Sequence, residues 1–169
     1  MGNSPERYAA SRVLGARSAP TPTNSFYPFT STYTGGMHVA LADVTGDGLL
    51  DVIVGSGTSG GAQVKVFSNA TVRATTSTPL TTAPTAYSTF YPYYATSPST
   101  ISTFTGGVYV TTGRVNSDNI PEIIVSPGIN GSSKVEIWQV TAGNLTSTRL
   151  NQFFTFYDLA SRNAVVSVM

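Results

Sequence analysis

The chain repeats itself at an offset of 71 residues, and this repeat restricts the possible folds more than any other feature. Residues 34–39, Thr-Gly-Gly-Met-His-Val, match residues 105–110, Thr-Gly-Gly-Val-Tyr-Val. The same offset places the apolar residues 52–54 on residues 123–125, and no gap is needed over more than thirty positions. Self-similarity at a fixed offset indicates copies of one supersecondary unit, each burying an apolar face against its neighbour.

A third, partial copy follows at an offset of 127 from the first. It places the aromatic residues 26–29 on residues 153–156 and the alternating residues 37–41 on residues 164–168. The sequence therefore divides into successive parts. They are an N-terminal linker or remnant of a preceding unit (1–23), a first repeat (24–88) with a Thr/Pro-rich insertion (71–87), a second repeat (89–152) and the start of a third (153–169).

Each repeat predicts four short strands separated by Gly-rich turns. The first strand is aromatic, at residues 26–29 and again at 90–93. The second alternates apolar and polar residues over 37–41, and the fourth alternates over 64–66. The third, residues 52–54, is continuously apolar, which is typical of a strand covered on both faces. We predict an all-β fold of propeller-like blades, each of four antiparallel strands, that together form an incomplete propeller.

The third strand of each repeat is expected to be the most buried element of its unit. Residues 52–54 and 123–125 have no polar side chain among them. We therefore expect Ile124, at the centre of the second of these strands, to be a core residue.

Three carboxylates occupy every fourth position of residues 43–51, Asp-Val-Thr-Gly-Asp-Gly-Leu-Leu-Asp. Like charges this close repel one another, and a bound hard cation removes that cost. Calcium loops alternate oxygen ligands at odd positions and place glycine where the backbone bends sharply. The alternative is a polar β-hairpin turn, which Asp-Gly pairs favour. The predicted calcium ligands are Asp43, Thr45, Asp47, the carbonyl group of Leu49, and Asp51.

The second repeat departs from this pattern. Arg114, Asn116, Asp118 and Glu122 stand at the first, third, fifth and ninth positions of its loop. A guanidinium has no lone pair to offer a metal, so only the first loop is expected to bind calcium. We expect Arg114 to replace the cation by pairing with Asp118, with Glu122 or with both.

Catalysis has little support in the sequence. His38 is the only histidine, and it aligns with Tyr109 in an alternating strand, which favours an ordinary strand side chain over a general base. The chain has no cysteine, so neither a thiolate nucleophile nor a disulfide can form. Trp138 aligns with Phe67, which favours a core position over a sugar-binding platform. We therefore predict that the chain is not an enzyme.

Charge and composition bear on the partners. The net charge is +1 without a basic stripe, so nucleic acid is not an expected partner. No apolar run reaches membrane-spanning length. Only 10% of the residues are charged, and the wealth of Thr, Ser, Gly, Tyr and Phe resembles extracellular β-proteins, so we expect an extracellular or cell-surface location. Two complete repeats do not close a ring, and the open blade edges predict self-association.

Three motifs resemble the FG-GAP/VCBS-type repeats, which also form the blades of the integrin alpha head. They are Phe-Thr-Gly-Gly at 104–107, the acidic loop at 43–51, and Gly-Ser-Gly at 55–57 followed by Val-Lys-Val-Phe at 64–67. The resemblance covers roughly residues 24–169, with two full repeats and a truncated third. It implies a β-propeller, calcium in the Asp loops, and adhesion or scaffold roles, but no single activity.

These observations leave three functional hypotheses. The first is a non-enzymatic, calcium-binding β-repeat module of a secreted or cell-surface protein, with a protein or glycan partner. The second is a carbohydrate-binding propeller with pockets between blades. The third is the non-catalytic part of a larger secreted hydrolase.

Overall fold

A computed structural model describes residues 25–74, 84–93, 103–140 and 147–154. It confirms the predicted all-β fold, because the described part of the chain has eight strands and one short helix. The elements are β1 (Met37–Ala42), β2 (Asp51–Ser56), β3 (Val64–Phe67), α1 (Asn69–Ala74), β4 (Ser88–Phe90), β5 (Val108–Gly113), β6 (Glu122–Pro127), β7 (Lys134–Val140) and β8 (Ser147–Phe154).

The strands form two four-stranded antiparallel sheets, one for each full repeat. Sheet 1 has the order β1-β2-β3-β4 and sheet 2 the order β5-β6-β7-β8. Corresponding registers agree: Val39 pairs with Val54 in sheet 1, and Val110 pairs with Val125 in sheet 2. The four-stranded antiparallel unit is therefore confirmed, whereas the described strands do not show a closed propeller.

The prediction that the aromatic segment is the first strand of each unit is wrong. Phe90 lies in β4 and pairs with Val64 of β3, so the aromatic segment closes sheet 1 and does not open sheet 2. Residues 26–29 form no strand. Instead, Phe26 packs edge-on against Phe67, with ring centroids 5.0 Å apart. An aromatic segment can satisfy its side chains on a neighbouring strand without joining a ladder, and sequence periodicity does not distinguish the two cases.

Several predicted segments lie outside the described residues. These are the N-terminal segment (1–23), the central part of the Thr/Pro-rich insertion (75–83) and the third repeat from residue 155 onward. The described start of the insertion belongs to helix α1. No helix in the described ranges is long and apolar enough to cross a membrane.

The two sheets pack face to face and share one hydrophobic cluster. Sheet 1 contributes one face of β2, β3 and β4, and sheet 2 contributes the facing side of β5, β6 and β7. At the outer end of this junction, the rings of Phe90 and Trp138 lie 4.5 Å apart. The prediction that Trp138 is a core residue is confirmed. The principal buried members are Ile53, Val64, Val66 and Phe90 from sheet 1, and Val108, Ile123, Val125, Trp138 and Val140 from sheet 2.

A glycine sets the distance between the sheets at their inner strands. A Cβ atom on Gly55 would lie 2.8 Å from the carbonyl oxygen of Val108 and 2.9 Å from a methyl carbon of Val110. Real Cβ atoms do not approach backbone atoms so closely, so a side chain at this position would push β5 away from β2.

The burial prediction is confirmed for two of the three residues in each strand. Ile53 and Val54 are buried in β2, and Ile123 and Val125 are buried in β6. Ile124 is only half-buried, so its assignment to the core is wrong. Successive strand residues point to opposite faces, and Ile124 lies on the face of sheet 2 that is turned away from sheet 1.

One carboxylate is buried near this junction and is fully paired. The Oε1 atom of Glu136 lies 2.8 Å from the ammonium of Lys134 and 3.1 Å from the guanidinium of Arg149. Its Oε2 atom accepts a hydrogen bond from the indole N–H of Trp138 at 3.1 Å. Burial, and next the charge of Glu136, raise the pKa of Tyr93, whose hydroxyl donates to the backbone nearby. The indole nitrogen is thus satisfied within the core, as a buried tryptophan requires.

The close approach at Gly55 yields a matched pair of variants. We expect Gly55→Ala to lower the free energy of unfolding by about 1–3 kcal/mol, since overpacking a tight junction costs that much. Gly113→Ala is the control, because a Cβ there would meet only a methyl carbon of Ile124 at 3.6 Å. It should be neutral or stabilise by about 0.4–1 kcal/mol through the unfolded state. Urea unfolding measures both, and equal effects would contradict the tight junction.

Candidate calcium loop

The acidic segment joins β1 to β2 within one hairpin. Ala42, the last residue of β1, pairs with Asp51, the first residue of β2. The intervening residues 43–50 form the connection, and all but the first three are exposed. The structure therefore places all five predicted calcium ligands in one loop at the end of sheet 1.

The carboxylate of Asp43 organises the first half of this loop. Its Oδ1 atom accepts hydrogen bonds from the backbone N–H groups of Gly46 at 2.7 Å and Asp47 at 3.0 Å. Its Oδ2 atom accepts one from Gly48 at 2.8 Å. The backbone turns around the carboxylate with φ values of 75° at Gly46 and 85° at Gly48, which favour glycine.

Asp47 continues the turn on the exposed side. Its Oδ1 atom accepts a hydrogen bond from the backbone N–H of Leu49 at 2.9 Å, a local contact that aspartate commonly makes in turns. No other hydrogen bond involves this carboxylate among the described residues. Asp43 and Asp47 therefore leave carboxylate lone pairs at the solvent-facing side of the loop.

Asp51 has a different position, because its side chain is fully buried. Its Oδ2 atom accepts from the backbone N–H groups of Val44 at 3.1 Å and Thr45 at 3.0 Å. Its Oδ1 atom accepts from the backbone N–H of Asn69, at the start of α1, at 3.1 Å. One carboxylate thus joins the acidic loop, the start of β2 and the chain that leaves β3.

The electrostatics of Asp51 follow from this position. Burial raises the pKa of Asp51, and the hydrogen bonds from the amides of Asn69 and Thr45 offset part of the increase. The Thr45 hydroxyl lies close enough to favour the ionised form, although no hydrogen bond of good geometry joins it to the carboxylate. The negative charge of Asp47 adds a smaller increase to the pKa.

The structure does not bring the three carboxylates to one point. Among the described residues, no group of three His, Cys, Asp or Glu side chains is close enough to hold a metal ion together. Asp43 and Asp47 share the exposed side of the loop, and Asp51 occupies the buried side. The carboxylates satisfy the backbone amides of the loop, which is also what a polar turn does.

The second loop, between β5 and β6, repeats the buried half of this arrangement. Glu122 is fully buried, and its Oε2 atom accepts from the backbone N–H of Val115 at 2.9 Å, as Asp51 accepts from Val44. The backbone N–H of Ile120 donates to Asp118 at 3.0 Å, as Leu49 donates to Asp47. The other carboxylate oxygen of Glu122 is buried without a partner in the described ranges.

The predicted role of Arg114 is wrong. The ion pairs of the described residues join Glu136 to Lys134 and Arg149, and Arg114 is exposed and belongs to neither. The amide side chains of Gln139 and Asn116 donate to Asp118 instead. Neutral amides can satisfy an exposed carboxylate, and an exposed ion pair gains too little to hold a long arginine in place.

Sequence analysis missed two residues that support these loops. Asn69 donates its backbone N–H to Asp51 and its side-chain amide to the carbonyl of Leu50. Its signal was the strand register: Phe67 pairs with Val52, so residues just after β3 lie beside the start of β2. Gln139 had a similar signal, since it follows Trp138, which pairs with Ile123 near the start of β6.

His38 lies in β1, as its alternating position predicted. Its ring lies 4.2 Å from the ring of Tyr109, the equivalent residue of the second repeat. The two repeats thus place equivalent rings in contact along the inner edges of the sheets.

The chain matches no protein-family model, and no curated protein and no solved structure is similar enough to count as a match.

The buried anchor at Asp51 can be tested without calcium. We expect Asp51→Ala to lower the free energy of unfolding by at least about 1–3 kcal/mol, because it leaves buried N–H donors without an acceptor. Asp118→Ala removes an exposed carboxylate of the second loop and should cost less than about 1 kcal/mol. Urea unfolding in the presence of a chelator compares them. Equal losses in the two variants would show that Asp51 is not a structural anchor.

Proposed function

We propose that this chain is a non-enzymatic β-repeat module of a secreted or cell-surface protein, with a scaffold or adhesion role, and that its first loop binds one calcium ion. The resemblance to FG-GAP/VCBS-type repeats supports the proposal, as does the composition. The observation that carries it is a difference between the two loops, which have the same anchor but different exposed charges.

The second loop shows which residues the turn needs. It has the buried carboxylate anchor at Glu122 and the local turn at Asp118, although Arg114 stands at its first position. A carboxylate at that first position is therefore not required for this type of connection. The first loop nevertheless has Asp43 there, four residues from the exposed Asp47, and so places two negative charges on one turn. A bound cation offsets their repulsion.

The exposed donors of the first loop suit a hard cation. Carboxylate, hydroxyl and carbonyl oxygens are the ligands that calcium prefers. Asp43 and Asp47 would hold the ion, with the Leu49 carbonyl as a neutral donor. Thr45 would join them only by turning its buried hydroxyl outward. Asp51 contributes negative charge from the buried side and would become a direct ligand only by releasing backbone amides.

The bound ion would act on stability and shape, not on a reaction. It supplies positive charge that neutralises the carboxylates, and its ligands fix the loop that joins β1 to β2. A fixed loop holds the register of the hairpin. The module would then present its surfaces to a protein or glycan partner in a defined geometry.

A second candidate function is glycan binding between the repeats. A depression of about 300 Å³ lies where turns of both sheets meet. Its lining offers hydroxyl, amide and backbone groups of the kind that bind sugars, together with one aromatic ring. Binding to a glycan array that free sugar abolishes would support this function over the calcium scaffold. The lining residues are Thr58, Ser59, Thr103, Phe104, Thr105, Gly106, Ile129 and Asn130.

Calorimetric titration with calcium should give one ion per chain. Asp47→Asn keeps an oxygen for the Leu49 amide but removes a charge, so we expect it to weaken binding at least about tenfold, or about 1.4 kcal/mol. Asp118→Asn is the matched control at the equivalent position of the second loop and should leave the affinity unchanged. Two equivalent ions, or no binding by the folded wild-type chain at saturating calcium, would refute the proposal.

A further inference from the structure

Each sheet has a second face with apolar side chains, turned away from the shared core. The second face of sheet 1 is open along β1, where Met37, Val39 and Leu41 are exposed, whereas Val54 and Phe67 of the same face are buried and Phe26 packs on Phe67. The term open face of sheet 1 therefore refers to this β1 part. The open face of sheet 2 contains Ile124 and Ile137, which are half-buried, and Val115 of the adjoining loop, which is exposed. A row of exposed apolar residues on a sheet face commonly marks an interaction surface.

The open face of sheet 1 has an equivalent that is already packed. At the repeat offset, Met37 and Val39 correspond to Val108 and Val110, which lie on the face of sheet 2 that contacts sheet 1. Met37 is 46% exposed, whereas Val108 is 0% exposed. The two positions have the same apolar character, and they differ in whether a neighbouring sheet covers them.

The open face of sheet 2 has a packed equivalent too. Ile124 and Ile137 correspond to Ile53 and Val66, both buried against sheet 2. The clearest pair is one residue type in two environments: Val44 is 1% exposed and Val115 is 49% exposed. The open face of sheet 2 is therefore equivalent to the face of sheet 1 against which sheet 2 packs.

The turns beside the two open faces contain the donor and the acceptor positions that are equivalent to a backbone hydrogen bond of the junction. Inside the molecule, Ser59 donates its backbone N–H to the Thr105 carbonyl at 2.7 Å, from a left-handed conformation with φ of 65°. Asn130, the equivalent donor of the second repeat, has the same conformation with φ of 60°. Thr34, the equivalent of Thr105, is exposed beside the open face of sheet 1.

A glycine also keeps its place at the open face of sheet 1. Gly107 packs against the turn that follows β2 of sheet 1, since a Cβ on Gly107 would lie 2.5 Å from the carbonyl carbon of Gly57. Gly36, its equivalent, has a φ of 77° close to the 80° of Gly107, but nothing lies within 4 Å of its Cβ position. The turn thus has the backbone shape of Gly107 without a close contact at this position among the described residues.

We propose that a second copy of this chain packs the open face of its sheet 2 onto the open face of sheet 1, head to tail. The β1 part of sheet 1 and the open face of sheet 2 are equivalent to two surfaces that pack together at the inner strands of the described junction, whereas Phe26 already covers Phe67 on the β3 side. Each of these two surfaces is complementary to the other. Among the described residues, both kinds of surface are uncovered only at these two places. The occupant that we propose is another copy of the same repeat, and the third repeat's residues 164–168, which align with residues 37–41, lie outside the described residues.

The contact between copies is looser than the contact within a chain. Ser126 stands where Gly55 allows the closest approach, so its Cβ keeps the second sheet farther away. Met37 stands where Val108 packs, and an unbranched methionine side chain adapts to the altered gap. We therefore expect association that depends on protein concentration.

A head-to-tail contact is heterologous, so it gives either a closed ring or an open filament. Propellers close with about four to eight blades, so a ring of two-sheet chains would contain roughly two to four copies. A heterologous contact uses two different faces, and this difference from an isologous dimer can be tested. A chain blocked on one face can still bind through its other face.

The experiment uses the full-length chain and light scattering after size-exclusion chromatography, over a range of concentrations. Wild type should form species larger than a monomer. Val39→Glu blocks the open face of sheet 1, and Val115→Glu blocks the open face of sheet 2, because each places a charge in an apolar contact. Each variant alone should be a monomer. Mixed together, they should form a one-to-one dimer, because each supplies the face that the other lacks.

Ala70→Glu is the control, because Ala70 is exposed on helix α1 and belongs to neither open face. It should associate like wild type. Circular dichroism of each variant checks that the sheets are intact. A wild-type chain that stays monomeric at the highest concentration would overturn the proposal, as would two variants that each still associate alone or a mixture that remains monomeric.

Discussion

The packing of sheet 1 on sheet 2 is the interaction on which the rest of the structure depends. A four-stranded sheet with one apolar face is stable only when that face is covered. Here the cover comes from the next repeat: Val108, Ile123 and Val125 are buried because sheet 1 lies against them. Gly55 makes this possible by letting β5 approach β2 without a side chain between them. Each repeat therefore supplies half of a core, and the described residues complete one such core.

The two acidic loops extend this junction. Gly46 of the first loop lies near Ile120 of the second, where a Cβ on the glycine would be 3.2 Å from a methyl carbon. A loop can take part in such a contact only if its backbone has a fixed shape. The buried carboxylates of Asp51 and Glu122 provide that shape by accepting loop amides. Asp43 and Asp47 lie on the other side of the first loop, where they accept backbone N–H groups of the turn.

Sequence periodicity predicted what depends on one strand and its nearest neighbours. Three strands of each sheet, the turn glycines and the burial of Ile53 and Ile123 follow from the alternating strands, the continuously apolar strand and the repeat offset. The position of the last strand, β4, did not follow from periodicity. Phe90 pairs with β3 as part of a strand, whereas Phe26 contacts Phe67 only through its ring. The half-buried state of Ile124 depends on whether a further sheet is present, and periodicity carries no information about that.

The candidate site shows the same limit. Spacing predicted which residues share the loop, but not that Asp51 turns inward to the amide of Asn69. Side-chain direction in a tight turn depends on competition among many hydrogen-bond donors, and a buried amide is a strong competitor for a carboxylate. The same competition explains why Arg114 does not pair with Asp118, since the side-chain amides of Asn116 and Gln139 already donate to that carboxylate. The two loops therefore show which carboxylate they share: Glu122 has the buried position of Asp51, whereas Arg114 stands at the position of Asp43.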